Sequence, residues 1–553
     1  MDGDFSGSAE SSLLDLANVP VATEGPPEPP LAAGPAGLRT GRPRARHRGA
    51  IRWAARTSWC WPALVTACLG LFQVSRPELW RDELAGWSFA TRSVHGLLAT
   101  ARNTGGAQLP YYLILHSWIA AFGSSVTAMR ALSVLAMAGA AAFVALAARE
   151  LAGTRAGVAA GLVFAVIPSI SRFAQEVRFY ALAMCFAALA TWLLARALDR
   201  PSWARWAGYT ASMAAVGYLD TVAMSLLAGH AVWTALRWWR ERDTRLLRFI
   251  LAMAVSASTC APVILLGSRQ AASQLDWVPR PSLGWSALAQ FGGNLFFSGP
   301  VAVAVLVLAA LAWMTRKRDV AMYLTAAAIC PLAAVWLVSC GSVSYFFPRY
   351  VLFTLIAIAI LAGVAVARLR PLPAVAVIAL VAVLGVYDQA MIRKPDAHNW
   401  AEYPASVGAA AFEYAAAARV VGTDAGPGDG IVYPGNGTQW EDVDLGLSYY
   451  LGQYLRHGVA APAVLFTART AAQADGLYSV PCSRPARCLG AHARVWLVGG
   501  SPAWDPLSLV SPAEAAVLRH DYSVRRVWLT GGMTVALLTR RAAPLIPAKA
   551  TSR

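Results

Sequence analysis

Charged side chains are scarce. Only 14% of the 553 residues are Asp, Glu, Lys or Arg, against 57% hydrophobic. A soluble domain of this length could not cover so much apolar surface. With a mean hydropathy of +0.48 and repeated apolar runs of about 20 residues, the chain reads as a polytopic helical membrane protein. Basic-aromatic modules that read DNA or RNA are missing. The formal net charge of +17 therefore reflects arginines in cytoplasmic loops rather than a nucleic-acid partner. No metal-ligand spacing is present and no cofactor is required, although acidic residues near a phosphate would suit a divalent cation. From residue 392 onward there is no Gly-x-Gly-x-x-Gly and no P-loop. Gly426-Pro427-Gly428-Asp429-Gly430 lacks the following Lys-Ser/Thr and reads as a turn before a strand. Five of the eight cysteines (Cys60, Cys68, Cys185, Cys260, Cys330) lie inside apolar runs as small hydrophobes, and Cys340 closes another. Only Cys482 and Cys488 stand in polar sequence, where a close pair fits a disulfide in an oxidising compartment.

What is present orders the chain. Residues 1–50 are rich in Pro, Gly, Ala and Ser, with acidic residues early and Arg39 to Arg48 late, a composition that cannot bury a core. The core, 51–391, opens with a span at about 57–75 and a first outer loop, 76–126. Within that loop Leu109–Phe122 is apolar but shorter than a crossing, so it reads as an interfacial helix. Ten further spans follow near 127–148, 156–171, 180–197, 205–219, 221–238, 247–266, 299–315, 319–340, 350–367 and 372–391, about eleven in all. If Leu109–Phe122 does not cross, every short basic loop falls inside, as the positive-inside rule expects. The N-terminus is then cytoplasmic, and residues 392–545, where Pro, Gly and Asp rise, form a small extracytoplasmic α/β domain before a tail at 546–553. Its strand-length runs are Gly430–Tyr433, Ala463–Phe466, Val495–Val498, Val527–Leu529 and Thr534–Leu538. Helical patterns at Ala405–Ala418, Asp444–Leu455 and Pro512–His520 alternate with them. Thr530-Gly531-Gly532 between the last two strands reads as a hairpin turn. The fold class expected is mostly α, multi-pass in the cell membrane.

Four charged clusters fall on the outer face in this topology. They are Arg81-Asp82-Glu83, the stretch Ser171 to Tyr180, Tyr345 to Tyr350, and Lys394 to Trp400. If the second cluster is helical, Arg172, Gln175, Glu176 and Arg178 nearly share one side. Guanidinium forks suit phosphate, and a carboxylate suits general-base work on a hydroxyl or holding sugar hydroxyls. Such a face serves a reaction with a lipid-phosphate donor and an alcohol acceptor. The plainer alternatives are a solvated turn at Arg81-Asp82-Glu83 and an Arg172–Glu176 ion pair that only orders a loop. Ionisable groups held at a membrane boundary are costly, and four such clusters on one face call for a common cause. His116 and His230 read as satisfied polar groups, while Asp220, at the outer end of its span, is placed to hold a sugar.

These motifs resemble the C-type membrane glycosyltransferases. Asp82-Glu83 follows the first span, Pro110-Tyr111-Tyr112 lies in the interfacial helix, Arg172 to Tyr180 forms an Arg-x-x-x-Glu-x-Arg-x-Tyr segment, and Arg349-Tyr350 opens a later span. The nearest pattern is that of family-39-like enzymes, among them protein O-mannosyltransferases, the lipid A aminoarabinose transferase and galacturonosyltransferase-like proteins. The match covers roughly 57–400. It implies a polyprenyl-phosphate sugar as donor and a lipid, glycan or protein acceptor at the membrane surface. By this resemblance Asp82 is the catalytic base, with Glu83 as its neighbour and rival. Arg172, Glu176, Arg178, Tyr180, Arg349 and Tyr350 face the donor phosphate, while Arg81, Tyr111, Gln175, Asp220 and Trp400 contact substrate. The chain departs from the family where Gln175-Glu176-Val177-Arg178 replaces an Arg-x-Asp context. It also has one Pro fewer before Tyr111, and His398-Asn399-Trp400 keeps only the Trp.

The expected function is transfer of a sugar, mannose-type, to an acceptor hydroxyl outside the membrane. The rival reading is a transporter or flippase of a lipid-linked or polar solute. Such proteins carry charges near the bilayer midplane on broken helices and often repeat their halves. Here the charges gather at span ends and no repeat is found. A scaffold that only anchors the exported domain would not need eleven spans.

Overall fold

A computed structural model describes residues 57–282, 284–395, 412–435 and 442–541. The chain from residue 54 onward forms one compact unit. It is mostly helical, with a small mixed sheet near the C-terminus, as expected.

Each expected span coincides with a helix or a helix pair, and local chemistry sets the ends. Ser125 and Ser202 cap Val126–Ala152 and Trp203–Leu219 through their side chains, and Gly153 ends the first of these at φ 95°. Four helices are long and apolar enough to cross a membrane: Val126–Ala152, Tyr180–Asp199, Arg245–Gln274 and Arg318–Ser339. Two bent pairs would raise the number to six. One pair bends by 69° between Thr154–Val166 and Pro168–Ala174, and the other by 93° between Trp285–Phe296 and Gly299–Met314. The first bend has a plain cause, since Pro168 cannot continue the preceding helix but suits the first turn of the next. Cys60–Leu71, Thr354–Val366 and Pro371–Leu384 are apolar but shorter. Small residues let helices approach closely: a Cβ on Gly363 would lie 2.5 Å from Ala160 Cα and Cβ. Leu109–Phe122 is a 14-residue helix with the expected bounds, and its Trp118 indole donates to the Ala128 carbonyl at 2.7 Å.

The C-terminal sheet runs β2-β1-β5-β7-β6, with β1 Gly430–Val432, β2 Ala463–Val464, β5 Arg494–Gly499, β6 Tyr522–Thr530 and β7 Met533–Arg540. β1 pairs in parallel with β2 and β5, while β7 runs antiparallel to β5 and β6. The β6–β7 turn places Gly531 and Gly532 at φ 51° and 75°, the left-handed pair that two-residue hairpins require. A separate ribbon, β3 Thr467–Arg469 with β4 Val480–Pro481, is too short to show in the sequence. Of the helix expected over Ala405–Ala418, residues 405–411 lie outside the described residues; the described helix is Tyr414–Asp424, with Glu413 N–H bonded to the Gly531 carbonyl. Cys482 and Cys488 are joined by a disulfide.

This C-terminal part rests on the 76–126 segment. The Leu79 N–H donates to Tyr450 Oη at 2.8 Å, and Ala415 N–H donates to Glu78 Oε2 at 3.0 Å. Tyr449 Oη donates to the Ser124 carbonyl at 2.8 Å, and the Tyr449 ring meets Trp87 edge-on at 5.0 Å. The segment that carries Asp82 is thus held between helices and sheet domain.

Candidate active site

The loop before Asp82 is fixed by a residue the motif reading did not single out. Arg130, four residues into Val126–Ala152, is fully buried. Its Nη1 donates to the carbonyls of Val74 (2.7 Å) and Pro77 (2.8 Å), and its Nη2 to that of Glu78 (3.1 Å). The remaining donors grip Glu83 in a two-point fork, Nη2 to Oε2 at 2.8 Å and Nε to Oε1 at 3.0 Å. All five guanidinium N–H groups are therefore used. Glu83 also accepts from Trp80 N–H (3.2 Å) and Val177 N–H (2.8 Å), so both its oxygens are engaged and its side chain is wholly buried. An arginine inside an apolar run was the available signal, because an ionisable group there must have a partner.

Asp82 is built differently. It shares the first turn of helix Arg81–Ala90 with Glu83, yet its side chain keeps 20% exposure. Arg178 Nη2 and Arg349 Nη1 each stand 3.7 Å from Oδ2, and Arg81 Nε is 3.7 Å from Oδ1. These are ion-pair distances beyond direct hydrogen bonding. Burial pushes the carboxyl up, but Arg178, Arg349, Arg81 and Arg172 outweigh it and hold the group below its usual range. The arginines themselves are held by aromatic faces. Arg172 (5.9 Å) and Arg349 (5.8 Å) both lie over the Trp80 ring, and Arg349 also lies over Trp277 at 5.2 Å and Tyr350 at 5.4 Å.

The Ser171–Tyr180 cluster divides in two. Helix Pro168–Ala174 ends at Gln175, and the chain turns before Tyr180–Asp199. This turn sends Arg178 to Asp82, while Arg172 Nη1 stays 4.0 Å from Glu176 Oε2. Gln175 does not face the Asp82 group; its amide donates to the carbonyls of Gly70 (2.9 Å) and Phe72 (2.8 Å), tying the turn to the first helix. The Glu176 carbonyl accepts from Ser133 Oγ at 2.6 Å. Tyr111 is buried against Tyr112 and Phe179, with ring centroids at 5.9 and 6.3 Å. Asp220 stands apart from Asp82. Its Oδ1 accepts from Val222 and Ala223 N–H at 3.0 and 3.3 Å, and burial pushes its carboxyl up to about 7 against those bonds. Trp400 lies outside the described residues.

Two cavities lie near this group, reached through Arg349, which pairs with Asp82, and through the adjacent Tyr350. One, of about 360 Å³, is lined by Gln108, Phe179, Asp220, Val335, Tyr345 and Tyr350. The other, of about 460 Å³, is walled by Arg172, Arg280, Phe297, Phe346, Phe347 and Arg349. Among the described residues no three His, Cys, Asp or Glu side chains are grouped to hold a metal ion.

The chain is similar to known proteins in one region and in fold. A family model, Dolichyl-phosphate-mannose-protein mannosyltransferase, matches residues 110–265. No curated protein sequence matches the chain. ArnT from Cupriavidus metallidurans bound to undecaprenyl phosphate is similar over 87% of this chain and 98% of its own, with a TM-score of 0.55 and 16% identity. Its apo form gives a TM-score of 0.53 at 15% identity, over 88% and 98% of the two chains. The oligosaccharyltransferase AglB from Archaeoglobus fulgidus is more distant, with a TM-score of 0.41 at 12% identity over 88% and 74%. At 15–16% identity the likeness to ArnT is one of fold.

Proposed function

We propose that the protein transfers a sugar, mannose-type, from a polyprenyl-phosphate donor to an acceptor hydroxyl at the outer face of the cell membrane. The observation that carries this reading is Asp82, a partly exposed carboxylate ringed by Arg178, Arg349 and Arg81, with a cavity walled by Arg349 and Arg172 beside it. The likeness to an ArnT structure that contains undecaprenyl phosphate supports a lipid-phosphate donor.

Asp82 takes the acceptor's hydroxyl proton as its oxygen attacks the anomeric carbon. The new carbon–oxygen bond forms as the bond to the lipid phosphate breaks, with inversion, and the electron pair leaves on the phosphate. Arg178, Arg349 and Arg172 stabilise that charge, which grows in the transition state. Glu83 is the poorer candidate for this role, because four donors already occupy its oxygens. The prenyl tail fits the mainly apolar cavity below Tyr350. No metal is required in this scheme.

The test is purified protein with polyprenyl-phosphate-mannose and a hydroxyl acceptor. Asp82→Asn should lower turnover by about a hundredfold or more, the span of general-base contributions. Full turnover by that variant would remove Asp82 as base. Flux of a solute in proteoliposomes without sugar transfer would replace the reading by the transporter.

A further inference from the structure

A third cavity, of about 470 Å³, lies where helix Arg81–Ala90 meets the C-terminal domain. Its lining differs in kind from the other two. Ser88, Tyr433, Asp444, Ser448, Thr467 and Tyr478 contribute hydroxyls, one carboxyl and two aromatic rings. The one arginine in its lining, Arg92, donates through Nη1 to Thr100 Oγ1 at 2.6 Å and through Nη2 to the Gly476 carbonyl at 2.9 Å. Tyr478 keeps 39% exposure, so a ring face remains available. Asp442, beside this lining, is buried, and its Oδ1 has no hydrogen-bond partner among the described residues.

The cleft adjoins the reacting centre. Tyr478 lies within electrostatic reach of Asp442, Arg81, Asp82 and Asp444, and Asp442 within reach of Asp82 and Arg81. Both groups are shifted upward by burial first and by these acids second. The donor-side cavities approach the same centre through Tyr350 and Arg349, from the helix bundle. A substrate in the third cavity would therefore reach Asp82 from the side of the C-terminal domain.

Chemistry selects the ligand. An anionic group would meet the Asp444 and Asp442 carboxyls against a single arginine, and an apolar chain would strand hydroxyls without partners. A neutral polyhydroxyl ligand suits both: hydroxyls exchange hydrogen bonds with Ser, Thr and Asp, and a sugar face lies on an exposed tyrosine ring. We propose that this cleft is the acceptor site and that it takes the end of a neutral carbohydrate chain. The proposal rests on the transferase reading for its role, and on the cleft alone for its ligand.

Binding separates the two. Titrating full-length protein in nanodiscs, without donor, with neutral mannan-, galactan- and arabinan-derived oligosaccharides should show saturable binding of one of them by calorimetry. Tyr478→Ala, at an exposed position, and Asp444→Asn should each weaken that binding by about tenfold, the equivalent of one good hydrogen bond or stacking contact. In the transfer assay the same variants should raise the KM for acceptor and leave the KM for donor unchanged. Binding without any sugar transfer would overturn the transferase reading and keep the cleft as a glycan site. Transfer with an unchanged acceptor KM in both variants would overturn the cleft and keep the enzyme. Preferential binding of a Ser/Thr-rich peptide, or of inorganic phosphate, would overturn the carbohydrate assignment.

Discussion

Arg130→Met is the sharpest perturbation of the site that touches no substrate. It removes a guanidinium that makes five hydrogen bonds, two to Glu83 and three to the carbonyls of Val74, Pro77 and Glu78. Glu83 would remain buried with only the Trp80 and Val177 N–H groups, and the three carbonyls would lose the donors that Arg130 supplies. Breaking one side of a buried ion pair costs about 3–5 kcal/mol, several times the roughly 1 kcal/mol of an ordinary hydrogen bond. Arg130→Lys keeps the charge but brings three donors instead of five, so it should fall between. Adding Glu83→Leu to Arg130→Met removes the stranded charge and should recover much of the stability, since apolar replacement of a buried pair is often near neutral. Turnover should not return, because the loop that aims Asp82 is still unpinned. Thermal inactivation in detergent together with sugar transfer reads both quantities. An Arg130→Met protein as stable as the parent, or a double variant with full turnover, would refute this account of the loop.

Two further outcomes are expected. Glu78 accepts from Ala415 N–H, and burial, reinforced by Glu413 against that bond, pushes its carboxyl up to about 7. A carboxyl raised on folding stabilises most below its unfolded value of 4.5 and loses that contribution as pH rises through about 7. Limited proteolysis between the C-terminal domain and the helix bundle should therefore speed up from pH 5 to pH 8, and Glu78→Gln should flatten that dependence. Reducing the Cys482–Cys488 bridge should cost the C-terminal domain about 2 kcal/mol by loop entropy, read as a lower unfolding temperature with dithiothreitol. An unchanged temperature would contradict it.

Much of this was legible because each signal was local. Apolar runs marked the helices, Gly531-Gly532 marked the hairpin, and adjacent charges after the first apolar run marked Asp82. What stayed hidden depends on partners far along the chain. Nothing near Glu83 shows that Arg130, 47 positions later, fills its oxygens. Gln175 sits among charged residues but spends its amide on carbonyls of the first helix, a contact 103 and 105 positions away. The break between Pro168–Ala174 and Tyr180–Asp199 separates Arg172 from Arg178, which a continuous helix would have kept on one side. β3 and β4 hold three and two residues, below the length at which alternation can be read.

In the proposed reaction, Asp82 and its arginines also impose an order. The cations proposed to hold the lipid phosphate stand 3.7 Å from the carboxylate proposed as base. That arrangement holds Asp82 below its ordinary range, which makes it a poor proton acceptor. A phosphate that draws Arg178 and Arg349 into forks removes those charges from Asp82 and places an anion beside it. Both changes raise the carboxyl's pKa, so the base strengthens once the donor is bound. The sign can be checked. The acid limb of kcat/KM for donor reports the free enzyme and should lie at lower pH than the acid limb of kcat, which reports the donor complex. Arg349→Gln weakens the hold on Asp82 before donor binds, so it should raise the first limb and narrow the gap. Coincident limbs in the parent protein would mean that the arginines do not pass from carboxylate to phosphate. Asp82 would then need another source of basicity.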